Sequence, residues 1–401
     1  MRISIGPLVK KLRPSHKHDF FMFYSMLILL SFHWYVVTYI NSSFLEEFIS
    51  ATNVSFLYAC ASIVLFIAFF YAPRLLQKIG NYRFTLACTL GEIIALIGLG
   101  MSHTALCAII FFFLHFISVP LILFGLDVFI EHLIGTEEKK TGGKRGLYLS
   151  LASLAGAMAP LLSGSLLSLN ASDYSSVYFA SILFLFPFLA ILIAYFRAFK
   201  DPAYGTLSIP AMIEILKTDR DTRNITAVSV YLQMFFTWTY IFIPLYLAKM
   251  VGFSWYEIGL ILFVALSAYV FLEYPIGVIA DLYIGEKEMM ALGFLIISVS
   301  LSWFAFLGNA DIGLWMIAMF LTRTGASLVE STSESYFFKH AESLDAHKIS
   351  LFRMTRPFSS VLGALIGTIA LIYLPFNLIF IVFAFVLVQG LYFTMLLVDT
   401  K

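Results

Sequence analysis

Twelve runs of about twenty apolar residues follow one another along this chain, and that pattern leaves few folds open. They fall at 20–42, 53–73, 83–102, 104–133, 146–169, 175–197, 224–248, 256–279, 288–308, 311–337, 349–373 and 375–398. A helix needs about 20 residues to cross the hydrocarbon core of a bilayer. In lipid every backbone N–H and C=O must be paired internally, which leaves helices or closed barrels. These runs are too long and too continuous for the alternating strands of about 10 residues that build a barrel. Composition agrees. Only 12% of the 401 residues are charged and 61% are hydrophobic, whereas soluble domains carry about 25% charged residues. The expectation is an all-α membrane protein with twelve transmembrane helices.

The net charge of +1 gives no footing for nucleic acid. Cys60, Cys88 and Cys107 lie in apolar runs without CxxC spacing and read as small packing residues. The first run follows a basic tail. It is longer than a signal-peptide core and lacks a small-x-small cleavage site, so it reads as a retained span. His16 and His18 sit in that tail and read as solvated.

Lys and Arg are distributed unevenly. Twenty-two of the 25 fall in the N-terminal tail, the even-numbered connections with the adjoining helix starts, or the last residue; the odd connections hold only Lys249. The positive-inside rule then places both termini and every even connection in the cytoplasm, with the plasma (inner) membrane as the expected location. The longest connection, 198–223, contains Ile209, Met212, Ile213 and Leu216 at i, i+3, i+4, i+7 spacing, followed by a charged cluster. It reads as an interfacial helix joining two units, 1–197 and 224–401.

The two units look like copies. Glu273–Lys287 forms a short polar hairpin with Pro275, Gly277, Asp281 and Gly285, and a weaker version runs from Pro73 through Arg74, Gln77, Lys78 and Gly80 to Arg83. Gly80 pairs with Gly285 at an offset of 205, and Asp127 with Glu330 at 203. Asp127/Glu131 and Glu330/Glu334 are carboxylates four apart, near the ends of spans 4 and 10. Parallel repeats of six spans with a site between them are a transporter signature.

On these residues the chain resembles the major facilitator superfamily of secondary transporters, whose loop motif G-x-L-a-D-r-x-G-r-k joins helices 2 and 3 and is often echoed between helices 8 and 9. The second copy matches better, through Gly277, Ile279, Ala280, Asp281, Gly285, Glu286 and Lys287, with one residue inserted. In the first, Pro73 replaces the glycine and Gln77 the aspartate, while Arg74, Lys78, Gly80 and Arg83 remain. The resemblance implies two pseudo-symmetric six-helix bundles. It also implies that Asp281 helps shut the cytoplasmic side by facing the start of span 5, near Arg145, where a helix N-terminus attracts a carboxylate. Span 5 loosely resembles an antiporter element through Ala155, Ala159, Pro160, Ser163 and Gly164, which tilts the expectation toward efflux.

Ionisable groups inside a membrane cost about 2.5–3.5 kcal/mol each on insertion scales and normally face the bundle interior. Glu330/Glu334 with Arg353/Arg356 reads as a charge latch, with Asp127/Glu131 and Lys144/Arg145 as its counterpart. Arg323, deep in span 10, reads as a contact for an anionic substrate group or a partner for a buried carboxylate. Glu92, Glu273, His33 and His115 are candidate proton carriers. Trp34, Tyr35, Trp238 and Tyr240 occupy matching depths in spans 1 and 7 and read as an aromatic wall for a lipophilic or ring-bearing substrate. The Arg and the aromatics point to different cargo.

Three classes remain. A secondary transporter working by alternating access, with a proton as coupling ion, fits best. A membrane enzyme would need clustered catalytic or metal groups; no HxxxH pair occurs within a span and no nucleophile elbow appears. A receptor or scaffold of transporter shape would be favoured by an added soluble domain. No P-loop is present, so ATP-driven pumping is not expected. No cofactor or metal is expected, and the working unit is expected to be a monomer in the lipid bilayer acting on a small-molecule substrate.

Overall fold

The computed structural model describes residues 16–134, 141–169, 173–202, 204, 208–308, 311–340 and 346–398. Side chains are described from residue 20 onward within these ranges, except at 131, 132, 134, 141–150, 274, 281, 282, 338, 340, 346, 347, 349 and 350.

Among the described residues there are helices and no strand. The first half contains α1 (His16–Thr38), α2 (Asn41–Glu46), α3 (Ala51–Ile79), α4 (Asn81–Gly100), α5 (Ala105–Ile134), α6 (Thr141–Leu169) and α7 (Tyr174–Tyr195). A short helix, α8 (Ile209–Thr218), leads into the second half. That half contains α9 (Arg220–Leu245), α10 (Trp255–Ile279), α11 (Glu286–Leu307), α12 (Ile312–His340), α13 (Ala346–Arg353), α14 (Thr355–Tyr373) and α15 (Ile379–Met395). Twelve of the resulting spans are long and apolar enough to cross a membrane. Apolar residues cover their outward faces, such as Phe271, Phe306 and Phe385, all about 70% exposed. Exposed phenylalanine at that density suits lipid rather than water. Two expected spans are interrupted. The first bends at Tyr39–Ile40 between α1 and α2, and the eleventh breaks at Met354 between α13 and α14.

The repeat shows in the backbone. Gly80 has φ 79° and ψ 157°, and Gly285 has φ 110° and ψ 151°. Both are sharp corners between two long helices, in a conformation L side chains rarely adopt. We call the end carrying these corners the basic end, after its Lys and Arg, and the opposite end the far end.

The connection between the halves is fastened at both sides. On the first half, Asp201 accepts from the Asn81 N–H at 2.7 Å and from the Tyr204 hydroxyl at 2.5 Å, while Gln77 Nε2 donates to the Tyr204 carbonyl at 2.8 Å. Asp201 thus caps α4, whose first N–H groups have no partner inside the helix. On the second half, Asp219 accepts from the Thr222 N–H at 2.9 Å and hydroxyl at 2.7 Å, and from Lys348 Nζ at 2.6 Å. Partial burial works to raise the Asp219 pKa, but the Lys348 ammonium and the Thr222 donors outweigh it and hold the carboxyl at about 2. A depressed carboxylate stabilises the fold above its unfolded pKa of about 3.9 and loses that contribution only as pH falls toward the folded value. Within α8, Ser208 caps the start, Met212 is buried, and Ile209 and Ile213 stay 46% exposed. Replacing Asp201 with Ala is expected to cost about 1 kcal/mol, the usual worth of a helix cap. Denaturant unfolding in detergent reads this, and an unchanged midpoint would remove the cap from the account.

Candidate functional site

Close contacts between the two halves concentrate toward the far end. Ser55 Oγ donates to the Ala364 carbonyl at 2.8 Å and Thr368 Oγ1 to Ser55 Oγ at 2.9 Å, joining α3 to α14. Ser42 Oγ donates to the Tyr240 carbonyl at 3.4 Å. Along α6 and α10, Gly164 and Gly259 face each other so closely that a Cβ on Gly164 would stand 2.5 Å from the Trp255 carbonyl oxygen. Glycine is required at this crossing because the backbones themselves touch. Toward the basic end Ser153 Oγ donates to Glu273 Oε2 at 3.5 Å. There a narrow cleft opens on the second half, lined by Gln233, Glu330, Glu334, Arg353 and Arg356 among others.

Arg323 lies on α12 seven residues before Glu330, one of the lining residues of this cleft. It is the twelfth residue of α12, about 16 Å along the helix from Ile312, and only 1% exposed. Its guanidinium carbon sits 5.1 Å from the Phe235 ring centroid. None of its three guanidinium nitrogens has a hydrogen-bond partner of normal geometry among the described residues. Tyr39, in the bend between α1 and α2, and Tyr269 of α10 approach it. Glu330 is within electrostatic reach of Arg323, Arg356, Glu273 and Glu334. Side chains from both halves therefore surround one buried cation, which keeps donors to spare beyond the Tyr39 hydroxyl.

The other expected residues separate into groups. Tyr35 reaches the seam between the halves, close to Glu330 and Glu273, and packs on Gly156. Tyr240 also reaches it; its hydroxyl meets Ser360 Oγ at 3.2 Å and its ring lies 5.7 Å from Tyr58 of the first half. Trp34 is half-buried beside Tyr35, with ring centroids 5.1 Å apart. Trp238 does not join them. It stacks on Phe383 at 4.1 Å and donates Nε1 to the Gly363 carbonyl at 2.8 Å, inside the second half. Its depth matches Trp34, but its helix face points into the core, so it is a packing residue.

Of the expected charge latch, Arg353 Nη1 stands 4.0 Å from Glu334 Oε1, tying α13 to α12. Asp127 is half-buried on α5; the side chains of Glu131, Lys144 and Arg145 lie outside the described residues. The Asp281 side chain also lies outside them, so its expected approach to Arg145 has no description here. Its neighbours are described. Gly277 sits opposite Ser331, and Lys287 Nζ donates to the Leu397 carbonyl at 3.0 Å, closing the end of α15. Glu286, expected in a polar hairpin, is 2% exposed and pairs with Lys339. Arg74 is exposed, with its guanidinium over Phe70 and Tyr71.

Three of the four proton-carrier candidates meet inside the first half, away from the seam. Glu92 Oε1 lies 2.6 Å from His115 Nδ1 and 3.0 Å from His33 Nε2, and all three residues are buried. Glu273 stands apart from them, on the seam.

The model of the Major Facilitator Superfamily matches residues 20–341 and again 225–401. The chain belongs to the major facilitator superfamily. Its fold matches a POT family transporter in complex with a thioalcohol-conjugated peptide, at TM-score 0.79 and 10% identity, over 94% of this chain and 95% of that one. A POT family transporter in complex with 5-aminolevulinic acid gives the same figures. The nucleoside transporter NupG, in a mutant form, matches at TM-score 0.71 and 13% identity, over 94% of this chain and 99% of that one. No curated protein matches it in sequence.

A superfamily member is a membrane transporter, and the expected fold of two six-helix bundles is the one found. Asn41, Tyr178, Ser181, Asp201 and Tyr269 escaped the sequence reading. Asn41 stands where an apolar run gives way to polar residues and reads as the run's end. In the fold it is 4% exposed, held between His115 and Tyr178. The other four gave no signal beyond their residue type.

Proposed function

We propose that this superfamily member moves a small organic anion across the plasma membrane by alternating access, coupled to protons. Arg323 carries the reading. A charged group in the membrane interior is expensive unless compensated, and this one keeps unspent donors at mid-depth where the bundles meet. A carboxylate or phosphate would accept the bidentate bonds that guanidinium geometry offers. One solved relative in fold holds 5-aminolevulinic acid, a small carboxylic acid. Tyr35, Tyr39 and Tyr240 supply the walls of the site.

The basic end is the cytoplasmic one in this reading. The glycine crossing and the Ser55–Thr368 contact then close the outside, and the cleft opens inward. Bundles 1–197 and 224–401 rock about the 198–223 connection, and one chain suffices. Glu273 and Glu330 are the coupling groups, because a coupling proton needs a carrier that rocking exposes first to one side and then to the other. His33, Glu92 and His115, sealed inside one bundle, are not placed to do this. Asp281 and Arg145 remain the proposed gate on the inner side. Efflux is the second reading, supported by the loose span-5 element.

Reconstitution into proteoliposomes tests the proposal, after thermal-shift screening of mono- and dicarboxylates, amino acids and phosphate esters. An anion that raises the melting point should accumulate when a pH gradient is imposed. Glu330→Gln should keep substrate exchange between equal pools but lose gradient-driven accumulation at least tenfold, along with its pH dependence. Accumulation that persists in this variant would remove Glu330 from coupling.

A further inference from the structure

We propose that His33, Glu92 and His115 hold a resident divalent transition-metal ion that staples α1, α4 and α5 together. One ligand atom from each residue falls within 4.8 Å of the others, and the group is fully enclosed. The rings stand edge to face at 86°, with centroids 6.4 Å apart.

Hydrogen-bond direction at His33 gives the first argument. Ser181 Oγ donates its single proton to the His33 carbonyl at 3.0 Å. With that proton spent on the carbonyl, His33 Nδ1–H donates to Ser181 Oγ at 2.7 Å, the tautomer that frees Nε2 to bind a metal. With Nδ1 protonated, Nε2 of the neutral ring carries a lone pair, 3.0 Å from Glu92 Oε1 but not aimed along the line to it. Two acceptor atoms so close and not hydrogen-bonded to each other suit a cation that both coordinate from one side. His33 Nε2 and Glu92 Oε2 also have no hydrogen-bond partner despite full burial, and an unsatisfied buried polar group is costly.

The surrounding shell is the second argument. Metal-bound histidines almost always have their other ring nitrogen held by an outer partner. Here Ser181 holds His33, and Asn41 holds His115 at 3.1 Å, itself held by the Tyr178 hydroxyl at 2.9 Å. For His115 Nδ1 to ligate, its proton moves to Nε2. The Asn41 amide turns over, so that Oδ1 accepts from Nε2–H and Nδ2 donates to the Tyr178 oxygen. No proton is lost; the exchange costs one hydrogen bond, because the Tyr178 hydroxyl turns from donor to acceptor and gives up Asn41 Oδ1. Two imidazoles and a carboxylate suit zinc, cobalt or nickel and suit magnesium or calcium poorly. Bonds of 2.0–2.2 Å set neighbouring ligand atoms of a tetrahedron about 3.3 Å apart, so on loading the 3.0 Å contact widens by about 0.3 Å and the 2.6 Å contact by about 0.7 Å. Glu92 Oε2 is at hand for the fourth position. The ligands come from three helices, so no spacing within a span announces them.

The test uses full-length, tag-free protein in detergent, with His16 and His18 changed to Gln so that the tail supplies no ligand. After chelator treatment, Zn²⁺ should bind at about one ion per chain by elemental analysis and raise the melting temperature, while Mg²⁺ should do neither. Co²⁺ should give visible d–d bands of a tetrahedral site. His33→Gln and Glu92→Gln should abolish both signals, and Ser181→Ala should weaken affinity roughly 10- to 100-fold, the usual effect of losing an outer partner. If Glu92→Gln fails to fold, the Co²⁺ spectrum and His33→Gln carry the test. A wild-type chain that takes up no Zn²⁺ and shows no Co²⁺ bands overturns the proposal and leaves a shared proton as the cation between His33 and Glu92. Equal Zn²⁺ binding by wild type and His33→Gln also overturns it. Neither outcome touches the role given to Arg323.

Discussion

Replacing Arg323 with Gln is expected to weaken anion binding roughly 10- to 150-fold, the worth of a hydrogen-bonded charge at about 1.5–3 kcal/mol. Transport should fall to background at substrate levels the wild type saturates. The same change should raise the melting temperature of the substrate-free protein. Arg323 is 1% exposed and, among the described residues, only the Tyr39 hydroxyl approaches its guanidinium as a hydrogen-bond partner, so the empty fold bears the cost of a buried charge that cargo would relieve. Sites that bind often cost stability in this way. A charge serving only to hold the fold together would give the opposite sign, with Arg323→Gln melting lower. Binding is read by isothermal titration with the anion found by screening, and stability by melting in detergent. A lower melting point with unchanged binding would end the assignment.

Gly164→Leu is expected to hold the far end apart. A Cβ there already stands 2.5 Å from the Trp255 carbonyl oxygen and 3.1 Å from the Gly259 Cα, and backbone cannot swing aside as a side chain can. Overpacking costs about 1–3 kcal/mol; at the upper end that shifts a two-state balance by roughly 150-fold. Transport should drop below a tenth of wild type. A cysteine placed at Thr368, which is 8% exposed in this form, should become open to a membrane-impermeant maleimide added outside. Cys60, Cys88 and Cys107 must first be replaced, since Cys107 is itself exposed. Gly164→Ala provides a graded control. Wild-type transport together with an unlabelled Cys at 368 would show that the glycine crossing has no part in opening.

The architecture was legible because the membrane makes length informative. Twelve apolar runs became twelve helical spans with ends shifted by a few residues, and the two motif glycines proved to be matching corners. The burial of Arg323 was legible for the same reason: a cation far from either surface has to turn into the bundle interior. What stayed hidden depended on which faces meet. Trp34 and Trp238 look alike in sequence, yet one stands near the seam and the other stacks on Phe383. His33, Glu92 and His115 come from helices separated by up to 82 positions, and helical periodicity ranks residues around one axis without saying which neighbour that axis has. Gln77 stands in the place of the aspartate of its loop. It instead donates to Tyr204, and the carboxylate beside Gly80 arrives from Asp201, about 120 residues later.

The fastening of the central connection sets a limit on how far the machine can open. Tyr204 is held on the first bundle and Ser208 begins the helix lying against the second. Four residue steps, drawn out fully, reach at most roughly 14 Å. At that corner the leash cannot lengthen, so the proposed rocking would swing the halves like the covers of a book stitched at one edge of its spine, with the widest mouth on the side away from the stitch.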